Sequence, residues 1–520
     1  MSDSFWEAAS GADSASRFPF SIPEALRIED LTVQGEALAR YQGRVLFLDS
    51  GLPGELVRAR VTGKRKGVLR GERVASLQAS EHEVEPWCPH AELCGACSWQ
   101  HFALPAAREW KERQVRESLA RIGGVQGPPV LPVLASPRDR GFRNKMTFAF
   151  APDREQGGPG LLGLHKKQSH ELVEVGNCGL QQGPVMALLQ RVREEMPLLG
   201  LGAWAAPSRQ DSPGGAGGPI EPGAHAKNAQ AGPAPAGIIP CLRFLLVHRP
   251  EFEPEGGAGM LVECITGPVA SEGGKGTAEA LRQLIIERVA LLGQGLMRDF
   301  PLCGFVHTER RQASAVARGE KLLRVLGKGE YEERFGDLLV RVPYQAFLQT
   351  NTGAAALLYE QAARHAALRE GDVLWDLYSG VGAIALYLAK DAASKGINIQ
   401  AHGFELQKEA VAAARRNSRR LNLPNCRFYA GPLADTLRHA PAPDCIILDP
   451  PRAGLERRVI DMLLGSPAGR MLYISCDMGT QARDVGLLSP AWQPVLSQPV
   501  DMFPYTPHVE NLLVLEKKRP

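Results

Sequence analysis

The sequence predicts an α/β protein: a doubly wound, Rossmann-like C-terminal domain, preceded by a small N-terminal β-barrel and a central α+β domain. Three observations predict it. From about residue 340, short apolar runs alternate with helical patterns, which implies strands and helices alternating around a mostly parallel sheet. Between about residues 22 and 82, short apolar runs are broken by Gly and Pro, the pattern of a small antiparallel barrel. The 520 residues are too many for one compact core, so further domains are expected.

The elements follow in chain order. Residues 1–21 are rich in Ser, Ala and acid and are expected to be disordered. They lack a basic segment followed by an apolar one, so no signal peptide is expected. No run reaches the roughly 18 apolar residues of a membrane span. A cytoplasmic location with reduced thiols is therefore expected. Apolar residues make up 44% of the chain and charged residues 22%, the balance of a soluble globular protein.

The barrel is expected over residues 22–83, with Val45–Leu48 and Val57–Val61 as strands around the turn Gly51-Leu52-Pro53-Gly54-Glu55. Arg58, Arg60, Lys64, Arg65, Lys66, Arg70 and Arg73 crowd one stretch in which Glu72 is the single acid. Such a patch suits polyanion phosphates or a solvated strand face equally well, and a net charge of +3 does not decide between them.

The central domain is expected over residues 84–340. It opens with a cysteine-rich stretch, Cys88 to His101, and a helix from Pro105 to Ile122. Candidate strands are Lys145–Phe150, Leu242–His248, Met260–Ile265 and Phe305–Thr308. Residues 205–237 are dense in Gly, Pro and Ala and bury too little to offset ordering entropy, so a disordered insertion is expected there. Pro254–Gly259 and Ser271–Gly276 read as flexible loops.

The C-terminal domain is expected over residues 341–520. Its strands are Val373–Leu377, Ile399–Phe404, Arg427–Tyr429, Cys445–Leu448, Met471–Ile474 and Leu512–Leu515, with helices opening at Ala383 and spanning Lys408–Leu421. Ligands of such sheets bind at the carboxyl ends of the strands, where the informative residues fall. Asp376-Leu377-Tyr378-Ser379-Gly380-Val381-Gly382 ends the first strand, and Glu405 ends the second. A Gly-x-Gly turn followed by a strand-end acid suits an adenosine cofactor, and equally describes a tight turn with a surface Glu. A full Gly-x-Gly-x-x-Gly is absent, which disfavours a dinucleotide. Asp449-Pro450-Pro451-Arg452 leaves Asp449 to orient a cofactor or a base edge, and Arg452 to meet phosphate.

Cys476 follows the strand ending at Ile474, and Glu510 opens the last strand. Alone, Cys476 reads as a core thiol. With Glu510 on a neighbouring strand end, the two read as nucleophile and base on one substrate. Cys88, Cys94 and Cys97 form Cys-x5-Cys-x2-Cys, with Cys178 downstream. Four thiolates suit tetrahedral zinc or an iron–sulfur cluster, and the spacing leaves that choice open. Cys241, Cys264, Cys303, Cys426 and Cys445 read as core residues.

In this order the pieces resemble the RNA uracil-5-methyltransferase family across nearly the whole chain. The first domain is similar to a TRAM domain, an RNA-binding barrel, in Gly35–Ala39, Gly51–Glu55 and the basic run. The Cys-x5-Cys-x2-Cys with Gln100-His101 and Cys178 is similar to the [4Fe–4S] pattern of the ribosomal branch. The resemblance implies S-adenosyl-L-methionine as donor, held by Gln349, Tyr378, Glu405 and Asp449. It also implies a Cys476 nucleophile, a Glu510 base, and carbon 5 of a uridine in RNA, most directly 23S rRNA, as the target. The chain departs from the pattern at Ser379, Ala383 and Pro432, where many members carry Cys, Asn and an acid. A tRNA uridine-5-methyltransferase and a non-catalytic RNA-binding or assembly factor on the same fold are the alternatives. A radical enzyme is disfavoured because it needs Cys-x3-Cys-x2-Cys. A monomer is the default expectation.

Overall fold

The computed structural model describes residues 18–125, 128–153, 158–181, 183–205, 237–251, 259–268, 275–314 and 316–518. The expected disordered start and insertion lie almost wholly outside these residues. The chain forms two compact units. Of the described residues, one comprises those within 18–87, 97–114 and 505–508, and the other those within 88–96, 115–504 and 509–518.

In the first unit, strands Leu26–Leu31, Ala37–Tyr41, Arg44–Leu48, Leu56–Arg65 and Val68–Gln78 close into a five-stranded barrel, with Phe20–Ser21 added along Leu56–Arg65. Two of its hairpins turn on two residues, Gln42-Gly43 and Lys66-Gly67, all four at positive φ. That backbone matches the twist of the flanking strands, and glycine adopts it without strain. Alternate residues of the strands point inward, so Ile28, Ala39, Leu46, Leu48, Val57 and Val61 make the core. The basic stretch is less free than its composition suggests. Arg60 pairs with Glu72, Arg70 with Glu36 and Arg73 with Glu55, two of those acids lying elsewhere in the chain. Arg58, Lys64, Arg65 and Lys66 remain exposed and form no ion pair among the described residues.

The second unit holds two sheets. The first runs Lys321–Gly327, Leu302–Glu309, Met260–Thr266, Ile239–His248, Lys145–Ala151, Leu161–His165, Leu172–Val173, with Leu201–Ala203 alongside Ile239–His248. The four strands expected here all form. Met260–Thr266 and Leu302–Glu309 run parallel, joined by the helix Lys275–Asp299. Lys275 and Gly276, expected in a loop, open that helix. Cys303 is only half-buried, whereas Cys241, Cys264, Cys426 and Cys445 are core residues as expected.

The second sheet runs Cys426–Ala430, Gln400–Glu405, Val373–Leu377, Cys445–Leu448, Arg470–Ser475, Glu510–Lys517, Trp492–Val500. The first five strands are parallel. Their central members are buried along their whole length, as a sheet covered on both faces requires. The last strand runs antiparallel to Arg470–Ser475, so its first residue, Glu510, lies at the same end as the carboxyl ends of the parallel strands. Trp492–Val500 is an additional edge strand. Among the described residues no helix is long and apolar enough to cross a membrane.

Candidate active site

Every expected site residue of the C-terminal domain lies at that carboxyl end. Cys476 is the first residue past the strand Arg470–Ser475, and Asp477 caps the helix Met478–Leu488 by accepting from the Thr480 N–H at 2.9 Å. The strand therefore stops at Ser475, and the thiol sits at a strand-to-helix turn near a helix N-terminus, which favours an anion. Ser475 pairs with Asn511, so Cys476, which follows the one, and Glu510, which precedes the other, lie at the same end of two neighbouring strands. Cys476 is half-buried, while Glu510 is 2% exposed.

Electrostatics ties these groups together. Burial raises the Cys476 thiol above its usual value, the nearby Glu510 carboxylate adds to this, and a hydrogen bond and the charge of Arg452 oppose it. Burial also holds the Glu510 carboxyl well above the usual range, with Asp449 reinforcing the shift and Arg452 opposing it. Burial and the mutual repulsion of thiolate and carboxylates thus favour the protonated forms, and the Arg452 charge favours the anions. Arg452, which the sequence leaves to meet phosphate, is exposed, and its charge also favours the Cys476 thiolate.

The neighbouring turn has the features of a nucleoside-binding cradle. Tyr378, Gly380 and Gly382 have positive φ values of 68°, 52° and 80°. The Gly380 N–H donates to Glu405 Oε2 at 3.1 Å, and the Gln407 N–H to Glu405 Oε1 at 2.8 Å. A Cβ at Gly403 would lie 2.4 Å from Phe428, so only glycine fits there. Asp376 is buried, accepts from the Ala385 N–H at 3.1 Å, and is pushed up to about 8 by burial and then by Asp449 and Glu405. Its Oδ1 and the Ser379 hydroxyl are buried without a hydrogen-bond partner. Two orphaned polar atoms beside a glycine turn fit a polar ligand. The Gln349 side-chain amide donates to Asp449 Oδ2 at 3.4 Å, and the Gln349 backbone carbonyl accepts from the buried Asn144 side chain at 3.0 Å. Burial raises Asp449, and the Gln349 bond opposes this. The residues present therefore fit a cationic adenosine donor.

The cysteine set is partly assembled. Cys94 and Cys178 are buried, and burial raises both thiols. The charge of Cys88 raises each further, and Cys94 also acts on Cys178. Backbone N–H groups of Ala96, Leu180 and Gln181 point at the two sulfurs and favour the thiolates. Cys97 is buried too. The donor chemistry fits a soft metal centre. As the side chains stand, no group of three or more His, Cys, Asp or Glu among the described residues is spaced to hold a metal ion.

The resemblance groups Ala482-Arg483-Asp484 with the nucleophile motif, but the contacts behind these residues emerge only from the fold. Asp484 is fully buried and accepts from the Tyr473 hydroxyl at 2.7 Å and the Leu455 N–H at 2.7 Å. Asn511 accepts from the Ser497 hydroxyl and donates to Gln481, each at 2.8 Å, directly beside Glu510. Asn511 carried no signal in the sequence.

A family model described as tRNA (Uracil-5-)-methyltransferase matches residues 334–518, and a TRAM domain model matches residues 25–74. An uncharacterized RNA methyltransferase of Nitratidesulfovibrio vulgaris is 37% identical over 500 residues, spanning 94% of this chain and 95% of that protein. One from Gloeobacter violaceus is 32% identical over 492 residues, spanning 94% and 95%. Among solved structures, the tRNA (uracil-54, C5)-methyltransferase of Pyrococcus abyssi, in complex with S-adenosyl-L-homocysteine, superposes with a TM-score of 0.65. It is 22% identical and covers 95% of this chain and 100% of its own, a likeness of fold.

Proposed function

The chain belongs to the RNA uracil-5-methyltransferase family, and on that premise we propose that it methylates carbon 5 of a uridine in 23S rRNA through a covalent adduct on Cys476. One observation supports this above the rest: a thiol and a buried carboxyl lie at adjacent strand ends, where each acts on the other and the Arg452 charge favours the thiolate. Carbon 5 of uracil is a poor nucleophile. Addition of the Cys476 thiolate to carbon 6 moves electron density to carbon 5, which can then take a methyl group. Bound S-adenosyl-L-methionine supplies that methyl on a cationic sulfur, whose charge favours the ionised forms of the thiol and carboxyls around it. Glu510 then removes the carbon 5 proton, and the electrons re-form the double bond and expel the thiolate. A carboxyl held above its usual range is a stronger base once ionised. Gln349, Tyr378, Glu405 and Asp449 hold the donor in this reading, with Glu405 meeting the ribose hydroxyls. The target must leave its base stack to reach Cys476, and the exposed barrel residues Arg58, Lys64, Arg65 and Lys66 hold its phosphates.

The ribosomal assignment rests on the four cysteines. Given labelled donor and RNA from a strain lacking this gene, the purified protein should place label in 23S rRNA as 5-methyluridine. Label in tRNA alone would move the substrate, and label in neither would remove the activity.

The same reading gives Cys88, Cys94, Cys97 and Cys178 a [4Fe–4S] cluster that cross-links their segments. Anaerobically purified protein should contain about four iron and four sulfide per chain. Cys178→Ser should lose both and unfold at lower temperature, whereas zinc without sulfide would contradict the cluster.

A further inference from the structure

The loop that carries Arg452 is fixed at two backbone points to the helix that follows Cys476. Asp484, on that helix, accepts the Leu455 N–H through Oδ2 and binds Arg483 through Oδ1, at 2.9 Å from Nε and 2.6 Å from Nη2. Arg483 in turn donates to the Ala453 carbonyl at 3.0 Å. Between them Gly454 has φ +77°, and a Cβ there would lie 2.5 Å from both Arg483 Nη2 and Asp484 Oδ2. The backbone of residue 454 therefore rests directly on the ion pair. The Tyr473 hydroxyl, on the strand that ends beside Cys476, donates to the same Oδ2 at 2.7 Å. One buried carboxylate thus joins the nucleophile's strand, the nucleophile's helix and the arginine's loop.

We propose that Asp484 is a positioning residue: it holds residues 453–455 so that the charge of the preceding Arg452 stays near the Cys476 thiol. The inference rests on the catalytic reading of Cys476, but its geometry can be read without turnover. The charged groups facing the thiol are Glu510, Arg452 and Asp449. Of these only Arg452 favours the thiolate, so its displacement leaves both acids unopposed.

The test is the pH dependence of Cys476 alkylation by iodoacetamide in the folded, full-length protein, alongside methyl transfer. Arg452→Ala should move the alkylation midpoint up by about one pH unit, a tenfold loss of thiolate at neutral pH. Asp484→Asn should reproduce most of that shift, and the double variant should shift no further than Arg452→Ala alone. Arg483→Gln, at a half-exposed side chain that folding tolerates better, should shift in the same direction by a smaller amount. An unchanged midpoint in folded Arg483→Gln, or additive shifts in the double variant, would overturn the positioning role. Should methyl transfer to RNA be absent even in the parent protein while the midpoints shift as stated, the fault lies in the proposed function and not in the clamp.

Discussion

Cys476→Ala is expected to lower methyl transfer by about 10⁴-fold or more while leaving RNA affinity unchanged. The magnitude follows from losing a covalent path: without addition at carbon 6, carbon 5 stays unactivated, and removal of a nucleophile usually costs a factor of that order or larger. Affinity is spared because phosphate contacts dominate it, and the thiol contributes none. A single-turnover assay with labelled donor, beside a filter-binding titration, measures both quantities. Turnover within about tenfold of the parent would rule out the covalent mechanism. Loss of binding together with activity would mean that Cys476 supports the fold of the site and not its chemistry.

Glu510→Gln is expected to stop the reaction one step later. The amide keeps the shape of the side chain but cannot accept the carbon 5 proton, so resolution of the adduct should slow by about 10²- to 10⁴-fold, the usual worth of a positioned base. Formation of the adduct should not slow, because the Glu510 carboxylate opposes the Cys476 thiolate and the amide does not. A protein–RNA species should therefore accumulate on a denaturing gel. The same substitution has a stability signature. In the folded protein the Glu510 carboxyl keeps its proton above the usual glutamate range. The unfolded chain releases it within that range, so the folded state binds more protons and stability falls as pH rises above it. Glutamine removes this penalty, and thermal melts should show the variant more stable than the parent at pH 8 and little different at pH 4.

Much of the site was legible because its chemistry sits at strand ends with local signatures. A short apolar run followed by Ser475-Cys476-Asp477, an acid opening the last strand, and glycines after Val373–Leu377 each announce a cleft residue without knowledge of the fold. Other features were not legible for physical reasons. Trp492–Val500 was not among the expected strands; it contains Pro494 and Pro499, which an edge strand tolerates and an inner strand would not. The helix Lys275–Asp299 is obscured by Gly293 and Gly295, yet a Cβ at Gly293 would lie 2.5 Å from the Phe305 ring, so that glycine permits close packing. The basic stretch of the barrel was read as a block, because Glu36 and Glu55 reach Arg70 and Arg73 only through the barrel's closure. Arg452 could not be paired with Cys476, nor Asp484 with Leu455, since those contacts cross between separate elements of the sheet. Sequence spacing marks which residues can do chemistry; the pairing of Arg470–Ser475 with Glu510–Lys517 decides which of them meet.

The claim beneath the whole account is that Cys476 and Glu510 act on one pyrimidine ring. Peptide mapping by mass spectrometry of the species formed by Glu510→Gln with donor and 23S rRNA tests it directly. The account predicts a nucleotide linked to the peptide containing Cys476, heavier by one methyl group than uridine. Attachment to another residue, or a Cys476 adduct without the methyl, would contradict it.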